Sequence, residues 1–98
     1  MHVASLMVEL HLPDSHSLKD KRAIVRPILD GGRRRFLVAA AEVDHQDRWQ
    51  RAALGFAAVA ESAGHVGEVL DSVERWVWSF PEVEVIDCRR AWLDPEEV

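Results

Sequence analysis

Seven cations fall between Ser15 and Arg35, and the chemistry they suit is the binding of anions. Lys19, Lys21, Arg22, Arg26, Arg33, Arg34 and Arg35 stand against only Asp20 and Asp30, a local charge of +5 in a chain of net charge −5. Arginine outnumbers lysine ten to two, and a guanidinium meets phosphate oxygens in a planar, bidentate way. A row of such groups on one helix face would make a track for a phosphate backbone. The plainer reading is a solvated helix face whose charges pair with acidic neighbours. Basic residues at a helix start oppose the dipole, so that reading carries a small cost. There is no tyrosine, and no aromatic pair on the first and third strands of the kind that stacks bases in RRM domains. Any RNA contact is therefore expected through backbone or shape.

The second cluster is Asp44-His45-Gln46-Asp47 with Trp49 just beyond it. Asp44, His45 and Asp47 carry metal-capable groups, and His11, His16 and Glu42 could lie near them. Neighbours in so short a turn seldom point at one ion, and aspartate is a common turn former. A hydrogen-bonded structural turn, or a turn doubling as a partner contact, is expected, with no metal. His11 beside Glu9 hints at acid–base chemistry, yet no nucleophile, oxyanion motif or paired-carboxylate pattern accompanies them. No enzyme and no small-molecule cofactor is expected. Cys88 stands alone, which excludes an intramolecular disulfide and suits a reducing compartment. Trp49, Trp76, Trp78 and Trp92 are many for 98 residues, and exposed tryptophans favour interfaces.

These groups must be positioned by one domain, since 98 residues with 48% hydrophobic content make a single globular unit. No apolar run approaches the roughly 18 residues that span a bilayer. Met1 to Leu12 has no basic n-region and is interrupted by Glu9, so no signal peptide is read there. A cytoplasmic location without a membrane partner is expected. Charge is unevenly placed: from Glu61 to Val98 the local charge is −7.

Val3 to Leu12 alternates, with Ala4, Leu6, Val8, Leu10 and Leu12 on the apolar face of a strand. Ser17-Leu18-Lys19-Asp20 has the form of a capping box opening a helix. In that helix Leu18, Lys21, Ile24, Val25, Ile28 and Leu29 share a side, with Lys19, Arg22, Arg26 and Arg33 on a neighbouring stripe. Lys21 is expected to snorkel from the edge. Pro27 is expected to kink or shorten the helix, and Gly31-Gly32 to stop it, leaving Arg33-Arg34-Arg35 in or beside the turn. Strands are expected over Phe36 to Val43, Trp49 to Ala60 and Val83 to Trp92, with a bulge or close approach at Gly55. Ser62 to Phe80 reads as the second helix, and Asp94 to Val98 as a frayed acidic tail.

Two strand–helix–strand units in a row imply an α+β, ferredoxin-like β-α-β-β-α-β sandwich, a four-stranded antiparallel sheet with two helices on one face. In that topology Pro13–Ser17, Asp44–Asp47 and Phe80–Pro81 emerge at the same end.

Glu9-Leu10-His11-Leu12-Pro13 running into Ser17-Leu18-Lys19-Asp20-Lys21-Arg22 resembles the first signature of the YlxP-like bacterial family. Ala41-Glu42-Val43-Asp44-His45-Gln46-Asp47 with Trp49-Gln50-Arg51-Ala52 resembles its second. The likeness extends over nearly the whole chain, and the family is a domain of unknown function. It implies a ferredoxin-like fold, and its frequent gene neighbours, translation-initiation and ribosome-maturation factors, imply RNA or the ribosome as a partner. The leading expectation is a non-catalytic RNA- or ribosome-associated module acting through the basic helix and the motif loop. The alternative is a protein–protein adaptor or homodimer using the open sheet face, or an edge strand, and the tryptophans.

Overall fold

The computed structural model of the chain describes residues 1–93. The expected frayed tail, residues 94–98, lies outside the described residues. In order come β1 (His2–His11), α1 (Leu18–Phe36), β2 (Ala39–Asp44), β3 (Arg51–Ala60), α2 (Ala63–Trp78) and β4 (Glu84–Trp92). The strands form one antiparallel sheet in the order β2-β3-β1-β4. This is the ferredoxin-like arrangement that the strand and helix order implies.

The alternation in β1 sorts its residues as expected. Ala4, Leu6, Val8 and Leu10 are buried against the helices, and Leu12 follows them just past the strand. They meet Leu54, Phe56 and Ala58 of β3, Val25, Ile28 and Leu29 of α1, and Val66, Leu70, Val73 and Val77 of α2. Each of the larger of these side chains contributes about 1.5–3 kcal/mol by leaving water.

Ser17 caps α1: its hydroxyl accepts from the Asp20 amide at 3.0 Å, and the Asp20 carboxylate accepts from the His16 amide at 3.0 Å. The helix then runs through Pro27 and past both glycines, contrary to the expected early stop. Pro27 and the preceding turn at Ala23 are exposed, so the carbonyl that loses its amide partner faces water. Gly31 and Gly32 are buried inside the helix because α2 and the sheet come close there. A methyl on Gly31 would collide with the Trp76 ring, and one on Gly32 would meet Phe56 at 3.2 Å. Trp76 Nε1 donates to the Ile28 carbonyl at 3.0 Å and fixes the approach. The helix ends instead at Leu37, which takes a left-handed conformation (φ 54°) and returns its amide to the Arg33 carbonyl at 3.1 Å. Arg33, Arg34 and Arg35 thus form the last helical turn, where cations suit the dipole.

Phe36 stays in the helix, edge-on to Trp76 at 6.3 Å, so β2 starts three residues later than the apolar run suggests. The connection to β3 is longer than a tight hairpin and takes in Trp49 and Gln50. Gly55 does mark a close approach. The register of β2 skips Val43, whose side chain lies over Gly55 and leaves no room for a Cβ there. The Ser62 hydroxyl caps α2 by accepting from the His65 amide at 3.2 Å, and that helix closes at Trp78, short of Phe80.

Candidate nucleic-acid interface

The length of α1 decides where the cations go. Lys19, Arg22, Arg26 and Arg34 stand exposed along its outer side, and none makes a salt bridge or side-chain hydrogen bond within the described residues. At a rise of about 1.5 Å per residue they extend over about 22 Å of helix. Asp30 is the acidic residue among them, and it is taken by Arg33 at 2.7 Å. The second arm of Arg33 donates to the Ala40 carbonyl on β2. Arg35 lies with its guanidinium 4.3 Å from the centre of the Trp76 ring, a cation–π contact. Two of the seven cations therefore serve packing, though both remain exposed.

Lys21 is a third case and corrects the expectation for it. It does not snorkel: it is 2% exposed, and its ammonium turns inward. Nζ donates to the His45 carbonyl at 2.8 Å and the Gln46 carbonyl at 3.2 Å, and lies 2.8 Å from the Glu42 carboxylate. A buried ammonium is tolerated only when its donors and its charge are met, and here both are. Lys21 cannot therefore touch an incoming anion. The helix start is likewise unfavourable to one, since Ser17 already takes the Asp20 amide and the Asp20 carboxylate stands at that end.

A groove of about 280 Å³ lies between α1 and the edge strand β2, lined by Arg22, Val25, Arg26, Leu29, Arg33 and Glu42, with Asp30. Three guanidiniums and an apolar floor make it able to hold phosphate oxygens, with Glu42 and Asp30 limiting how deep an anion sits.

The Asp44–Asp47 turn is pinned from two sides. Lys21 holds its carbonyls, and the Gln46 amide donates to the Glu42 carbonyl at 3.4 Å. His45 sits at φ 61°, its amide held by the Asp44 carboxylate at 2.7 Å. Its ring reaches across to Glu9 at 3.2 Å, and Arg51 reaches the same carboxylate at 3.0 Å. Gln50 donates to the carbonyls of Pro13 and Ser15, and the Leu12 amide donates to Gln50. His11 pairs with Glu84 at the start of β4, at 3.1 Å. The three connections thus gather at one end, as the topology implies. His11 and His45 engage different carboxylates, and Asp47 stands exposed in solvent. No group of three metal-capable side chains converges among the described residues.

Trp49, Trp78 and Trp92 are exposed, while Trp76 is held between α1 and Phe80. Cys88 is half-buried on the helix side of β4, where burial, then Glu74 and Asp87, push its thiol pKa up. The role of Lys21 as the link between the two sequence motifs escaped sequence reasoning, although its place among apolar wheel positions was the signal. No helix among the described residues is long and apolar enough to cross a membrane.

A family model described as a protein of unknown function (DUF503) matches residues 3–90. The uncharacterized protein YlxP of Bacillus subtilis is 39% identical over 80 residues, covering 82% of this chain and 87% of that protein.

Proposed function

The chain belongs to the DUF503 family of unknown function, and from that starting point we propose that it is a non-catalytic, cytoplasmic RNA-associated module holding a phosphate backbone against the outer face of α1. One observation carries the reading: Lys19, Arg22, Arg26 and Arg34 line one side of α1 without a carboxylate partner in the described residues. A merely solvated face would be expected to neutralise itself, and only Arg33 does so, with Asp30. Arg33 also leans over the groove towards β2, which favours a ligand lying along the helix. Such contacts read backbone and shape and carry no base information. Lys21 has no part in the contact, and neither does the helix N-terminus. The ribosome offers the same phosphate chemistry as free RNA, and sedimentation with ribosomal particles separates the two.

The test is a mobility shift at low salt with a short single-stranded RNA and an RNA duplex. The wild-type chain should shift RNA, and Arg22→Glu with Arg26→Glu should abolish the shift while leaving the melting temperature unchanged. No shift by the wild type, or one that survives both reversals, overturns the reading.

A further inference from the structure

The sheet has a second face, turned away from the helices. Its register sets Ala39, Ala57, Ser5 and Ala91 in one row across all four strands. The next row carries Ala41, Gly55, Met7 and Arg89. The surface is flat and apolar, with shallow hollows of about 250 and 320 Å³ on either side of Ser5, and with Val43 raised at its margin over Gly55. A face of this kind on an antiparallel sheet is normally polar when it meets water.

The charged groups around it already engage one another within the chain. Glu9 is held by Arg51 and His45, His11 by Glu84, and Arg89 by Asp87 at 2.8 Å. Among the described residues, both arginines of this face, Arg51 and Arg89, already hold carboxylates, which leaves little for a nucleic acid to meet. A surface that is flat, small-chained and nearly balanced in charge, with Arg51 and Arg89 against Glu9, Glu84 and Asp87, is complementary to itself. It can therefore meet its own copy without the repulsion that a net charge of −5 would otherwise bring. Four strands about 4.8 Å apart and up to about 30 Å long offer about 600 Å². That reaches the lower end of stable interfaces, at about 600–1,000 Å² per partner. Rows of alanine let two sheets close to the usual spacing of about 10 Å. The β2 edge is a poor alternative route, because the Ala40 and Glu42 carbonyls already accept from Arg33 and Gln46.

We infer that this face is covered by the same face of a second copy of the chain, sheet on sheet, about a two-fold axis lying between the sheets. The two α1 helices then point outward on opposite sides of the dimer. The inference stands apart from the RNA reading, since it uses the other side of the sheet.

Light scattering after size exclusion tests it. The wild type should run at twice the 11.1 kDa chain mass. Ser5→Glu with Ala41→Glu, both at exposed positions, should give a folded monomer by circular dichroism and melting. Should that pair fail to fold, the single exposed change Ala39→Lys is read in the same way. Arg22→Glu with Arg26→Glu, on the helix side, should leave the dimer intact. The inference is overturned by a wild-type mass of 11.1 kDa at every concentration, by a dimer that survives the sheet-face variants, or by one lost with the helix-side pair.

Discussion

Lys21 and Arg22 are adjacent in sequence and opposite in role. Lys21 is sealed at 2% exposure against two carbonyls and Glu42, whereas Arg22 lies open on the groove. Truncating a buried partner strands the groups it served, so Lys21→Met should cost about 3–5 kcal/mol of stability by urea unfolding. Lys19→Ala, on the exposed side of the same turn, should change it by no more than about 0.5 kcal/mol. A Lys21→Met variant as stable as the wild type would remove Lys21 as the clamp on the motif loop. Cys88 allows a second check at this scale. Burial raises its thiol pKa, so at neutral pH less of it is thiolate than in a free cysteine. Alkylation should be slower in the folded chain than in urea, and equal rates would contradict the packing of β4. The cations themselves were legible in the sequence, but their division was not. The fate of Lys21 depends on carbonyls 24 and 25 residues away, and that of Arg35 on Trp76 of the other helix.

At the scale of elements, α1 shows where local rules yield to packing. The alternation of β1, the Ser17 cap and the apolar period of α2 were all legible, because each is a local pattern that tertiary contacts reinforce. Gly31-Gly32 looked like a stop signal because glycine is a poor helix former. The reason for Gly31 lies 45 residues on, in the indole of Trp76, and that for Gly32 in the ring of Phe56. Identical substitutions should therefore act with opposite sign. Gly67→Ala, inside α2 with open space around it, should stabilise by about 0.5–1 kcal/mol. Gly31→Ala should destabilise by about 1–3 kcal/mol despite the same gain in helix propensity, because Trp76 must move. Thermal melts of the two variants read this directly, and a stabilised Gly31→Ala would mean the helices are farther apart than described. The late start of β2 has the same cause, since Phe36 is retained in the helix by its contact with Trp76.

On the scale of the whole molecule, charge separates between the two helices of one layer. The outer side of α1 is positive, while Glu68 and Asp71 stand exposed on α2 and Asp71 and Glu74 hold Arg90 of β4. This segregation was legible in the sequence because it runs with the chain order, and the net charge of −5 conceals it. It has a consequence for binding: a polyanion is attracted on one side and repelled on the other, so RNA should bind in one orientation and few phosphates should be engaged. Fluorescence anisotropy of a labelled single-stranded RNA, titrated between about 50 and 200 mM salt, measures how many. Four open cations on α1 predict that the logarithm of the affinity falls against the logarithm of the salt concentration with a slope of about −3. Arg22→Glu with Arg26→Glu should remove binding altogether. An affinity that does not change with salt, or one that both reversals leave intact, would contradict the account.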